Sequence, residues 1–122
     1  MTLDNRRKML LILNDPPYGT ERSYNGIRLV NALSKAQENE VRLFLIGDAV
    51  LCGKRGQETP NGFYNLERML LVASRQGVNI GACGSCLDAR GIGVQELAEG
   101  IHRSSMEELA PWTQWADKVI VF

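Results

Sequence analysis

Four short, mostly apolar runs punctuate this chain, and amphipathic stretches fill the gaps between them. "MLLILN" (9–14) stops at Asp15-Pro16-Pro17, and "VRLFLIGD" (41–48) stops at Gly47 and Asp48. "VNIGA" (78–82) is shorter, and "KVIVF" (118–122) closes the sequence. A strand with one wet face alternates apolar and polar residues, whereas a strand covered on both faces is apolar throughout. The runs therefore predict strands of a parallel sheet with helices on each side. A fifth short strand is expected over 101–103.

Between the runs the apolar spacing changes to three and four. Tyr24, Ile27, Val30 and Leu33 predict a helix over 20–36. Asn65 is placed to cap a helix bearing Leu66, Met69, Leu70 and Ala73, with Gly77 at its end. A short helix is expected over 93–99. Ser105 and Glu108 have the spacing of a capping box and open a helix running to about residue 116, with Pro111 tolerated early in it. Strand alternating with helix implies right-handed crossovers and an α/β/α sandwich. A length of 122 residues suits one domain, 1–122.

The charge pattern narrows the partners. Formal net charge is zero and both signs are interspersed, which argues against a nucleic-acid or membrane-surface partner. Arg6-Arg7-Lys8, the densest basic cluster, reads as a solvated terminus. No apolar run approaches membrane-spanning length, and "MTLDNRRK" has no signal-peptide core. A cytoplasmic protein with reduced thiols is the expectation.

In open parallel sheets the loops leaving the C-terminal ends of strands build the site. Here they are "NDPPYGTER", "GDAVLCGKRGQ" and "GACGSCLDARG", and they hold all three cysteines. The irregular stretch 53–64 reads equally as a functional loop or as ordinary surface. A structural zinc needs four ligands, and the chain offers one C-x-x-C, a distant Cys52 and one histidine, so no metal is expected. His102 is assigned to capping or packing near the 93–99 helix. P-loop and G-x-G-x-x-G patterns are absent, so no nucleotide cofactor is expected.

Thiol chemistry remains. Cys83 follows the third apolar run where the chain turns toward helix, so backbone N–H groups point at its sulfur and favour the thiolate. Cys86 lies one helical turn on, as a resolving partner. Arg90, or Lys54 and Arg55 from the neighbouring loop, are the candidate positive charges, and Gly84 keeps the first sulfur accessible. Cys52 has no partner in sequence and is assigned to packing. Trp112 and Trp115 have core-like or interface-like spacing.

Three pieces carry a family resemblance: "LFLIGDAV", "GFYNLERML" and "GACGSCLDARGI", followed by the ending "SMEELAPWTQWADKVIVF". Together they make the chain resemble the DsrE/DsrF family of sulfur-relay proteins and, through the extra Cys86, its small YchN-like branch. The most specific match is a cysteine followed at the seventh and eighth positions by Arg-Gly, met by Cys83, Arg90 and Gly91. The resemblance implies a parallel sheet of about five strands and a persulfide carried on Cys83. It also implies trimers or hexamers of the chain, with sulfur-donor and sulfur-acceptor proteins as partners. Two other classes fit the residues. One is a dithiol-disulfide redox protein using Cys83 and Cys86, although the usual tryptophan before the motif and proline inside it are missing. The other is a non-enzymatic homo-oligomer holding a small ligand among Asp15, Tyr18, Asp48 and Lys54.

Overall fold

The computed structural model describes residues 5–122; the first four residues of the N-terminal stretch discussed above lie outside them. Five strands are formed: β1 (Arg7–Leu13), β2 (Asn39–Leu45), β3 (Asn79–Cys83), β4 (Ile101–Ser104) and β5 (Lys118–Val121). They make one sheet in the order β4-β3-β2-β1-β5, and every neighbouring pair is parallel. The helices are α1 (Arg22–Ser34), α2 (Leu66–Arg75), α3 (Gly84–Ala89) and α4 (Met106–Trp115). This is the α/β architecture expected from the apolar runs, with the fifth strand present. Among the described residues no helix is long and apolar enough to cross a membrane.

The two faces of the sheet follow from alternation along each strand. On one side a Cβ at Gly26 of α1 would run into Leu13 and the Phe122 ring, so Leu13 and Phe122 face α1. Register then adds Met9, Leu11, Val41, Leu43, Leu45, Ile80, Ala82 and Ile101 to that face. All are buried, and the leucines among them are fully so. On the other side Phe44 meets Trp112 of α4 edge to face at 6.3 Å. The same register puts Gly81, Cys83, His102 and Ser104 on this α4 face. Arg42 lies 3.8 Å over the Trp115 ring and 5.4 Å over that of Trp112.

Five expectations are corrected. Arg7 and Lys8 are not a free terminus: they belong to β1, whose ladder needs only backbone groups, with the Arg7 side chain left exposed, and Arg6 donates to the Asn39 carbonyl at 2.7 Å. The helix over 93–99 shrinks to a 3-10 turn at Val94–Glu96. Beyond that turn Leu97 bridges to Lys54 and Ala98 N–H donates to the Gly53 carbonyl, so the backbone is claimed by a neighbouring segment. The segment Gly47–Gly53, expected as loop, is itself 3-10 helical. The capping box at Ser105 is not made. Ser105 occupies the N-cap position without a side-chain bond, and Glu108 turns instead to Ser104 Oγ and His102 Nε2, each at 2.5 Å. His102 therefore packs on α4, edge-on to Trp112, and not near 93–99. The Asn65 cap is present: its side chain accepts from Arg68 N–H at 3.1 Å.

Candidate active site

Cys83 is both the last residue of β3 and the N-cap of α3. An apolar strand drives it inward while Gly84 starts a new helix, so the sulfur sits where sheet and helix meet. The residue is only 3% exposed, yet it forms part of the wall of a cavity of about 330 Å³. Gly84, Ser85, Arg103, Ser104, Ser105, Met106 and Glu107 complete that wall.

Two opposing effects set the state of this thiol. Burial pushes its pKa up. The Ser85 hydroxyl, 3.3 Å away, the Cys86 thiol and the backbone N–H groups of Cys86 and Ser85 pull it down, and the net direction is below the ordinary thiol value. Cys86 moves oppositely. Burial and its hydrogen bond to Cys83 raise it, while Gly47 N–H, 3.2 Å from its sulfur, and Arg90 partly offset the rise. Of the two thiols, Cys83 is the more acidic and Cys86 the less acidic. Cys52 stands apart: burial pushes it up to about 12, and its thiol donates to the Asp15 carbonyl at 3.7 Å.

Of the expected charges, Arg90 is not the one at the Cys83 cavity. It pairs with Asp48 at 2.8 Å and donates to the Cys86 carbonyl at 3.0 Å, tying α3 to the Gly47–Gly53 segment. Arg103 lines the cavity instead. A Cβ at Gly84 would lie 2.8 Å from its Cζ and Nε, so Gly84 leaves room for this guanidinium. Asp88 of α3 holds it by two bonds, at 2.8 and 2.9 Å. No local pattern singles out Arg103; the one available signal is its place at the end of the expected 101–103 strand.

No single cavity gathers all four residues proposed for ligand binding, although Gln57 links two of them, accepting from the Tyr18 hydroxyl and donating to the Lys54 carbonyl at 2.9 Å. Asp48 is joined to Arg90 as described. Asp15 accepts from Thr20 at 3.2 Å and lies 3.7 Å from the Arg22 guanidinium. Tyr18 donates to Gln57 Oε1 at 2.6 Å and lines a different cavity, of about 290 Å³, with Glu58, Thr59, Pro60, Phe63 and Tyr64. Lys54 and Arg55 are exposed, and Arg55 donates to the Leu97 carbonyl at 2.9 Å. None of these lines the Cys83 cavity. Among the described residues, no three His, Cys, Asp or Glu side chains are placed to hold a metal ion.

The pKa directions make a kinetic prediction. At neutral pH iodoacetamide is expected to label Cys83 first, Cys86 more slowly and Cys52 only on unfolding, because the thiolate is the reacting form. As pH falls, the Cys83 rate declines only once pH passes below its lowered pKa. Peptide mapping of timed samples reads this order, and equal labelling of Cys83 and Cys86 would contradict it.

A family model described as DsrE/DsrF-like matches residues 7–122. Protein YchN of Escherichia coli K12 is 41% identical over 117 residues, which are 95% of this chain and 99% of that protein. MK0008 of Methanopyrus kandleri is 37% identical over 116 residues, 92% of this chain and 91% of that one. The crystal structure of YchN from E. coli matches with a TM-score of 0.89 at 40% identity, covering 95% of this chain and 99% of the other. MTH1491 of Methanobacterium thermoautotrophicum shares the fold at a TM-score of 0.73 and 19% identity, covering 96% and 99%.

Proposed function

The chain belongs to the DsrE/DsrF-like family, and from that premise we propose that it carries sulfur as a persulfide on Cys83 for transfer within the cytoplasm. The observation that carries this reading is the placement of Cys83: last residue of β3, N-cap of α3, beside the Ser85 hydroxyl and on the wall of a cavity, with its pKa lowered while that of Cys86, three residues on, is raised. In the loading step the Cys83 thiolate attacks the terminal sulfur of a donor persulfide. A new S–S bond forms, the donor's S–S bond breaks, and the donor leaves as a thiolate. In unloading, an acceptor thiolate attacks the outer sulfur and Cys83 departs as thiolate. Cys86 supplies a second exit: its thiolate attacks the inner sulfur, closes a Cys83–Cys86 disulfide and expels hydrosulfide. That same pair supports a second reading, a dithiol-disulfide redox protein.

The carrier works in this reading as a homo-oligomer, a trimer or hexamer, handing its sulfur on to a partner protein. Its support is the edge strand β5, which leaves Val119 and Val121 exposed on the α4 face, together with exposed Met106 at the cavity. Mass spectrometry of the protein isolated without reductant tests both parts. Denatured, the peptide containing Cys83 is expected to carry an added sulfur atom; under native conditions the mass is expected at a multiple of 13.6 kDa. A bare Cys83 after exposure to a persulfide donor, or a monomer at micromolar concentration, would contradict the respective part.

A further inference from the structure

Resting on the persulfide reading of Cys83, the geometry points to Arg103 as the residue that selects the sulfur donor, and to a donor that is a small anion. Its chemical class is a sulfane-sulfur compound with a sulfonate or carboxylate near the transferable sulfur. The cavity, of about 330 Å³, is the size of a small-molecule site. Arg103 is the one cation in its lining, and its guanidinium packs on Gly84, the residue joined to Cys83. Asp88 fixes it through both Nη atoms and leaves Nε without a hydrogen-bond partner among the described residues. The pair is open to water, with side chains 42% and 64% exposed, so Asp88 orients the cation while solvent weakens the ion pair. Glu107, the one acid in the lining, is exposed on the first turn of α4. Ser85 and Ser105, both exposed, add hydroxyl donors, and Ser105 is free of any capping bond.

The chemistry explains why a cation is useful there. A thiolate attacking an anionic donor brings two like charges together, and a guanidinium beside them offsets the repulsion. With thiosulfate, the Cys83 thiolate attacks the sulfane sulfur, the S–S bond of thiosulfate breaks, and its electron pair leaves on sulfite. With a thiol persulfide bearing a carboxylate, the electron pair leaves on the thiolate. Arg103 takes no proton in either case; it is a positioning and specificity residue.

The test separates charge selection from bracing. Alkylation of Cys83 is followed with iodoacetate, which is anionic, and with iodoacetamide, which is neutral. The ratio of the two rates is expected to fall about fivefold in Arg103→Gln and to stay within about twofold in Arg103→Lys, as loss of one nearby charge requires. An arginine that only braces α3 would change both rates together, and an unchanged ratio in Arg103→Gln overturns the proposal. Asp88→Asn removes the opposing charge and is expected to raise the ratio; a fall in both Asp88→Asn and Arg103→Gln would assign the pair to bracing and also overturn it. Sulfur loading is then measured from thiosulfate and from glutathione persulfide. Loading from thiosulfate with release of sulfite identifies the sulfonate source, and loading from glutathione persulfide alone the carboxylate source. If neither loads the wild-type protein, the carrier reading fails, while the alkylation ratio still decides the role of Arg103. Equal loading of Arg103→Gln and wild type by both donors overturns the selection of an anion.

Discussion

Cys83→Ser is expected to abolish persulfide loading, reducing the sulfur carried to background. Serine keeps the size of the side chain but removes the thiolate, and neither remaining cysteine replaces it. Cys52 has its proton held to about pH 12 by burial, bonds the Asp15 carbonyl and does not line the Cys83 cavity. Cys86 has its pKa raised by burial and by its bond to Cys83. Cys86→Ser is expected to load still, because the Cys83 sulfur, its Ser85 partner and its place on the cavity wall are untouched. It is also expected to hold its sulfur longer, since the thiol that would expel hydrosulfide is gone. Cys52→Ser should change neither property. Loading each variant from glutathione persulfide and weighing it over time reads all three. A dithiol-disulfide cycle gives a different pattern, in which Cys83→Ser and Cys86→Ser both lose turnover. Persulfide on Cys86 with Cys83 bare would reverse the assigned roles.

Phe44→Ala is expected to be the most damaging single change to the fold outside the cysteine loop. Phe44 is fully buried in β2, near the middle of the sheet, and its ring is the edge-to-face partner of Trp112. Truncation removes the transfer energy of the ring and leaves a void against α4, a loss of about 3–5 kcal/mol for a buried phenylalanine. Set against a typical total of about 5–15 kcal/mol, that is a large share of stability. It should appear as a lower midpoint in urea followed by tryptophan fluorescence, since Trp112 and Trp115 both lie on α4. The change should reach the site as well, because Met106 and Glu107, at the start of α4, line the Cys83 cavity. A loss below about 1 kcal/mol, the scale of a surface change, would show that α4 is not docked through this contact.

Much of this molecule was legible in the chain by itself. Short runs that are apolar at nearly every position are stable as strands only when both faces are covered, so "MLLILN", "VRLFLIGD" and "VNIGA" had to become inner strands of a parallel sheet. An asparagine ahead of an amphipathic stretch had a cap to make, and Asn65 makes it. A cysteine at the end of such a strand, followed by glycine, had to meet the backbone N–H groups of the turn that follows, as Cys83 does. These are local consequences, set by a residue and its near neighbours. Strand order was not legible, because a right-handed crossover can carry the chain to a place beside its predecessor or past it. The order β4-β3-β2-β1-β5 decides that Arg103 lines the cavity of Cys83 while Arg90, nearer in sequence, is tied to Asp48 away from that lining. It likewise sends Glu108 to His102 and Ser104, away from the cap it was spaced to make, and turns 97–98 into a partner for 53–54. Hydrogen bonds and ion pairs are satisfied by whichever group is nearest in space, and for residues as far apart as Asp48 and Arg90 only the packed sheet determines which group that is.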